Sequence, residues 1–359
     1  MGTAWKVRRY EGGDDSQIDG LLQVCFGSRS FPMARWRWIH GRNPLGSRLT
    51  EGDVWVAEAD GKIVGYSSKI RYTMWCLGQS CLGIQGSNLA THPEFRGQGI
   101  ASELLSRGRE DARQIGVRIQ FGFPNAASFP MFLKLGFIPA KESPDLHLVL
   151  DRRAYLKKQL ENRNWRADVA GFLGFFSSKN GQTGTRYKSA GDFEIVEGFK
   201  DDAGEVWDSI RAHFDLGIER TKQYLEWRYD PNWDDYKILS AIHGGETAGY
   251  AVYRTLHNHG PNSINLCEFL SRGDEETVYE ELGKVLVRKA REEQAAFISA
   301  FGSCSIGCRS VLSKMGFAAP DLAFWKNKLR PTLYPFVNEE RDRLKEAKRY
   351  YSLGDTDSA

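Results

Sequence analysis

Four short motifs recur in the same order along this sequence, and their recurrence constrains the fold before any element is assigned. WKVRRY at 5–10 is echoed by FEIVEGF at 193–199, and ARWRWIHGRNP at 34–44 by LEWRYDPNW at 225–233. DGKIVGY at 60–66 is echoed by GGETAGY at 244–250, and KLGFIPA at 134–140 by KMGFAAP at 314–320. Turn chemistry recurs in any protein and accounts for the Gly-Tyr echo, but not for the Trp-Arg-aromatic one. An ordered self-similarity of this kind reads as two copies of one unit. The length, 359 residues, suits two domains of ordinary size.

Composition removes several function classes. Lys plus Arg total 49 against 46 Asp plus Glu, a net charge of +3 with no dense basic run, so nucleic-acid binding is not expected. Hydrophobic content of 41% is enough for packed cores. No apolar run is long enough to span a bilayer. The start, MGTAWKVRRYEGG, has no apolar stretch of a secretory leader, and Lys6 breaks the myristoylation pattern. A soluble, cytoplasmic protein is expected. Cys25, Cys76, Cys81, Cys267, Cys304 and Cys308 then read as reduced thiols, and none stands at zinc-ligand spacing, so no metal is expected.

Periodicity gives the first copy the order β-α-β-β-β-α-β-α-β. WKVRRY alternates as a strand. Ile18, Leu21, Leu22 and Cys25 lie on one helical face, with Asp14, Asp15 or Ser16 as the cap. Asp60-Gly61 suits a hairpin turn at positive φ. Ile100, Leu104, Leu105, Gly108, Ala112 and Ile115 form one helical stripe. VRIQFGF is a buried strand, SFPMFLKLGF a short helix and LHLVLD a further strand. The fold class is α+β, an α/β mixed sheet with two tandem domains. The expected limits are 1–150, a helical connector and linker at 151–190 containing the aromatic patch GFLGFF, a second domain at 191–330, and a helix and tail at 331–359.

The stretch NLATHPEFRGQGIASELL is where chemistry concentrates. A strand through Leu89, Ala90 and Thr91 ends before Pro93, which cannot donate to a ladder. Arg96, Gly97, Gln98, Gly99, Ile100, Ala101 and Ser102 then open a helix. Glycines at such a turn let an anion approach several backbone N–H groups, and the helix dipole adds to the field. Arg96 supplies a fixed positive charge, so a pyrophosphate is the natural ligand. The Walker loop fails because Ile100-Ala101 stands where Lys-Ser/Thr is needed. The dinucleotide fingerprint fails because Ile119 stands where an acidic residue is needed, and the turn follows a hairpin.

HPEFRGQGIASELL resembles the acyl-CoA signature of the GNAT N-acetyltransferase superfamily, Q/R-x-x-G-x-G/A, with Arg96, Gly99 and Ala101 in register. A second signature of that family is matched by Asn125, Ser128, Phe132, Gly136 and Phe137. Together they cover about residues 81–140. The repeat and the W-x-W…NP and GDTD motifs look more loosely like tandem GNAT proteins found with polysaccharide-biosynthesis genes. The resemblance implies tandem GNAT-like domains and acetyl-CoA as acyl donor, lying between splayed strands at 85–91 and 117–123. It implies pantetheine pairing with the backbone of Leu89 and Thr91, pyrophosphate on residues 97–102, and donor contacts from Asn125 and Phe132. The implied reaction is direct attack of a small-molecule amine, such as an amino sugar, on the thioester. A longer acyl-CoA, an acyl carrier protein donor, or an inactive CoA-binding scaffold are the alternatives. The chain is expected as a monomer or homodimer.

Two proton tasks follow. The ammonium must lose a proton and the thiolate must be protonated. Where many relatives carry Tyr this chain has Phe132, so Ser128 is the substitute acid, with a helix cap as its plainer role. Gln85 and Ser87 occupy the strand positions where a carboxylate often stands, and are expected to order a water for the base step. Glu226, Asp355 and Asp357 are the acidic alternatives. A backbone N–H near Leu89 would line an oxyanion hole. In the second copy, Asp274, Glu275 and Glu276 stand at the matching helix start, suit its dipole, and would repel a pyrophosphate, so that copy is not expected to bind CoA. Trp36-Arg37-Trp38 could form an aromatic acceptor platform, but its echo in Trp227-Arg228-Tyr229 favours packing.

Overall fold

The computed structural model describes residues 4–27, 33–45, 53–125, 128–140, 145–161, 193–232, 234–257, 261–301, 304–319 and 331–356. The expected aromatic patch and linker at 162–190 fall outside these, as do Trp233 and Asp357. The chain divides into two compact units, Met1–Lys141 with Leu329–Glu346, and Glu142–Lys328 with Ala347–Ala359.

The first unit runs β1 (Lys6–Arg9), α1 (Asp15–Phe26), α2 (Met33–Gly41), β2 (Val54–Ala59), β3 (Lys62–Cys76), β4 (Gln79–Thr91), α3 (Ile100–Gln114), β5 (Ile119–Gly122), α4 (Phe129–Lys134) and β6 (Ile138–Pro139). The far end of the chain adds β14 (Thr332–Pro335) and α10 (Arg341–Glu346). The sheet order is β1-β2-β3-β4-β5-β14-β6. Along this order every pair is antiparallel except β4 with β5.

The helices follow the expected stripes. Ile18, Leu21 and Leu22 of α1 pack with Trp36, Val54, Val56, Ile63 and Tyr66 in one core. Ile100 and Leu104 of α3 pack on Ala57, Ala59 and Val64 in another. Ile115 departs from its expected stripe, being 45% exposed just past the end of α3. Gly65 admits α3, because a Cβ there would lie 2.5 Å from the Ile100 side chain. Asp14 precedes α1 without capping it through its side chain, and instead pairs with Arg8 at 2.7 Å. Trp36 is buried and donates to the Tyr66 hydroxyl, and Arg37 pairs with Asp15. Trp227 and Tyr229 are likewise buried, so the aromatic motif is core in both copies.

The second unit contains β7 (Asp145–Val149), α5 (Arg152–Glu161), β8 (Glu194–Glu197), α6 (Ala203–Ile210), β9 (Leu216–Ile218), α7 (Lys222–Arg228), β10 (Tyr236–His243), β11 (Glu246–Leu256), β12 (Ser263–Ser271), α8 (Glu276–Glu292), β13 (Phe297–Phe301) and α9 (Ile306–Met315). Its sheet order is β7-β13-β12-β11-β10-β8. The parallel pair β12 with β13 stands where β4 with β5 stands in the first.

Mixed sheets flanked by helices in both units agree with the expected fold class. The strands next to β5 and β13 differ from the expected domain limits. LHLVLD, placed by the sequence in the first copy, is β7 and pairs with β13. Residues 332–335, placed in a C-terminal extension, form β14 between β5 and β6. Each sheet is thus completed by the strand that follows the other copy. Partner choice depends on which sheet edge is within reach, a long-range property that local alternation does not encode. The expected helix NEERDRLKEAKRY is helical over Arg341–Glu346 after a short 3-10 turn, and Ala347 onward belongs to the second unit.

Candidate active site

The first unit's site is built where β4 and β5 part. Their parallel register runs Gly83 with Ile119, Ile84 with Gln120 and Gln85 with Phe121, and no further pair forms among the described residues. β4 continues to Thr91 paired with β3 but no longer with β5. This leaves a V whose β4 side offers unpaired backbone groups, as a sheet edge does. Within that stretch the ladder with β3 shifts register between Ser87 and Ala90, and Asn88 adopts φ 51°. Such a bulge re-aims the backbone, at the place where the oxyanion donor near Leu89 is expected.

Past Thr91, Pro93–Phe95 makes one 3-10 turn, and Gly97 and Gly99 take φ 79° and 87°. The left-handed region is open to glycine at no steric cost, and Gly99 is the N-cap of α3. The first intrahelical bond described runs from Glu103 N–H to the Gly99 carbonyl at 3.1 Å. The N–H groups of Ile100, Ala101 and Ser102 precede it and are the unbonded donors of a helix start. Gly97, Gln98, Gly99 and Ser102 are exposed, Ala101 is half-buried and Ile100 is buried. Arg96 is exposed, and its Nε donates to the Thr91 carbonyl at 3.3 Å. Cys25 Sγ also reaches that carbonyl, at 3.4 Å. Thr91 is therefore engaged from two sides, while Ala90 is buried and Leu89 half-buried.

Gln85 is buried, and its Oε1 accepts from the Tyr72 hydroxyl at 2.9 Å. That bond fixes the Gln85 amide, and Tyr72 is a member of the site that sequence reading passed over. Its signal was the alternation of RYTMW, which places Tyr72 on the face opposite α3. Ser87 is also buried, and its carbonyl accepts from Ser68. Across the V, Asn125 Oδ1 accepts from the Ser128 N–H at 3.0 Å and from its hydroxyl at 3.1 Å. Asn125, not Ser128, supplies the side-chain cap at the start of α4. Phe132 is half-buried on Phe137, with ring centroids 4.8 Å apart. A second residue passed over is Gln120, a buried amide in an otherwise apolar strand.

The acidic alternatives fall in the second unit. Glu226 is exposed beside Lys222 at 3.7 Å. Asp355 is buried, and both its oxygens accept from Arg220, at 2.8 and 2.7 Å. Arg220 also reaches Glu268, whose carboxyl is pushed up by burial. Asp355 is thus locked into the second unit's core.

The second copy also has a V, since β12 runs on past the Asn265–Ser299 pair to Ser271. Its turn differs chemically. Asp274 takes φ 62°, and its carboxylate accepts from the Gly307 N–H at 2.9 Å and the Tyr279 hydroxyl at 3.2 Å. The acids were expected to suit the dipole of their own helix. Asp274 serves α9 instead, and Glu276 pairs with Lys314. Among the described residues, no cluster of metal-ligating side chains occurs, and no helix is long and apolar enough to cross a membrane.

Residues 50–139 match the family model described as Acetyltransferase (GNAT) domain. No curated protein matches the chain. Among solved structures, a GCN5-related N-acetyltransferase from Anabaena variabilis is similar at TM-score 0.63 and 12% identity, over 92% of this chain and 72% of that one. One from Kribbella flavida gives 0.59 and 14%, over 93% and 71%. Saccharomyces cerevisiae N-myristoyltransferase, solved with bound myristoyl-CoA and inhibitors, gives 0.61 and 11%, over 93% and 81%. These likenesses are of fold, and each spans both copies. The family model covers the parted strands, the glycine turn and α4, so this stretch of the first unit is similar to a GNAT acetyltransferase domain.

Proposed function

We propose that the chain is an acyl-CoA-dependent N-acyltransferase whose first unit binds the donor, acetyl-CoA in the simplest case, and passes its acyl group to an amine of a small molecule such as an amino sugar. The observation that carries this reading is the pairing of an open β4 edge with a helix start whose first N–H groups are free. The edge suits the pantetheine amides as an added strand would. The turn at 97–102 suits the pyrophosphate.

In this reading the amine nitrogen attacks the thioester carbonyl carbon in a ternary complex. The carbonyl oxygen gains charge against a backbone N–H at the Asn88 bulge. The C–S bond then breaks and the thiolate takes a proton, with Ser128 as donor. Gln85, held by Tyr72, and Ser87 order the water that accepts the amine's proton. The second unit keeps the fold without binding CoA. The test is incubation of the full chain with acetyl-CoA and a panel of amines and amino sugars, following free thiol. Acceptor-dependent thiol release supports the reading. Tight CoA binding with no release from any amine favours an inactive CoA-binding scaffold.

A second reading, a longer acyl donor, draws on the likeness in fold to a protein solved with myristoyl-CoA. Octanoyl-CoA in the same assay separates the two.

A further inference from the structure

The inner end of the V is floored by two glycines and an amide. Gly86 and Gly122 are the first residues past the last β4–β5 pair, Gln85 with Phe121. They share a face with Gln120, since side chains alternate along a strand. Among the described residues, a methyl on Gly122 would meet only the Phe132 ring, at 4.0 Å, and one on Gly86 would lie 3.3 Å from Gln120 Nε2. The missing side chains leave the strands bare where the acyl end of a donor would arrive. Gln120 is 1% exposed, and neither its Nε2 nor its Oε1 has a hydrogen-bond partner among the described residues.

The same face of the sheet carries a cation. β3 places Lys69 directly opposite Gly86. Lys69 is 4% exposed, and its Nζ has no hydrogen-bond partner among the described residues. α3 lies on it through Gly108, where a Cβ would stand 2.0 Å from Nζ. Asp111 and Asp53 act on the ammonium electrostatically, while their own pairs are with Arg9 and Trp55 and with Arg71. Burial pushes the Lys69 ammonium down to about 8, which leaves it charged at neutral pH. Buried donors without partners are costly, and a buried cation more so.

Resting on the reading that the first unit binds an acyl-CoA in this V, we infer that Gln120 and Lys69 receive the far end of the acyl chain, and that this chain ends in a carboxylate. A short carboxyacyl-CoA is then the preferred donor class. An acetyl group offers these donors no acceptor. A long alkyl chain would bury methylenes against polar atoms that stay unmet. A carboxylate accepts from both the amide and the ammonium, and the bare glycines give it passage.

The experiment is calorimetric binding of CoA, acetyl-CoA, succinyl-CoA and octanoyl-CoA to the full chain. Succinyl-CoA is expected to bind most tightly, about tenfold over acetyl-CoA, or 1.4 kcal/mol. Gln120→Glu, close to isosteric, sets an anion against the ligand and is expected to abolish that tenfold ratio. Lys69→Met is expected to reduce it by removing the cation. Equal binding of succinyl- and acetyl-CoA, tightest binding of octanoyl-CoA, or an unchanged ratio in Gln120→Glu would each overturn the inference while leaving the acyl-CoA reading intact. Failure of CoA itself to bind would overturn both.

Discussion

Asp274 accepts the backbone N–H of Gly307 at 2.9 Å, so a side-chain carboxylate ties the helix-start turn of the second copy to the helix after its next strand. In the first copy the matching turn is Gly97–Gly99, exposed and, among the described residues, free of such a carboxylate.

The first prediction follows from that contrast. CoA is expected to bind at one per chain, measured by calorimetry or equilibrium dialysis. Asp274→Ala should leave the stoichiometry at one and cost about 1–3 kcal/mol in denaturant melts, since it strands a backbone donor. Two CoA molecules per chain would contradict the inert second turn.

Gly99→Asp puts a carboxylate beside the proposed pyrophosphate at a residue with φ 87°. Like charges about 4 Å apart repel by several kcal/mol near a protein surface, so affinity for CoA should fall on the order of 100-fold or more. Gly99→Ala carries only the backbone strain, about 1–2 kcal/mol, and should fall less. Equal losses in the two variants would argue against an anion at this turn.

For Ser128, the free protein turns the hydroxyl toward Asn125 Oδ1, at 3.1 Å, and a bound thiolate would compete for it. Ser128→Ala should lower kcat by about 100-fold if the serine is the acid, with a much smaller change in the dissociation constant of CoA. Asn125→Ala removes the cap and should cost about 1 kcal/mol of stability. Turnover unaffected by Ser128→Ala would return the serine to a purely structural role.

Acid should weaken both units over one pH window. His40 in the first and His147 in the second are each pushed down from 6.5 to about 4 by burial. The unfolded chain takes up these protons near 6.5, while the folded chain resists until about 4. Their contribution is therefore complete above pH 6.5 and is lost as the pH falls toward 4, by about 3 kcal/mol each at most. Urea melts between pH 7 and pH 4 should show the fall, and His147→Gln should flatten its share. A flat profile in the wild type would count against both.

The buried Arg220 pairs with Glu268 and Asp355 at zero exposure on all three side chains. Arg220→Met strands two carboxylates and should cost about 3–5 kcal/mol, read as a lower urea midpoint. A smaller loss would mean the carboxyls have become neutral or reached water.

Much of the fold was legible because local chemistry and final position agree. Asp60-Gly61 turns at φ 48° and 73°, and Gly244-Gly245 at 59° and 88°, as such pairs do in hairpins. The α3 stripe through Leu104, Leu105 and Gly108 is buried as its spacing requires. The glycine turn was legible for the same reason, since positive φ selects glycine. What stayed hidden depends on partners distant in sequence. Nothing in DLHLV states that it will pair with Phe297–Phe301. The cap role of Asn125 depended on which of two polar residues three apart begins the helix. Tyr72 and Gln120 read as sheet filler until the register placed one on Gln85 and the other beside Gly86.

The completion of the first sheet by Thr332–Pro335 bears on how this protein is made. A ribosome that has finished the glycine turn and α4 has not yet supplied the strand that lies between β5 and β6. The nascent first copy must wait, with that edge open to stray pairing, until nearly the whole polypeptide has emerged. A gene fragment cut after the first repeat would encode an incomplete sheet, and the two halves of this chain are obliged to mature together.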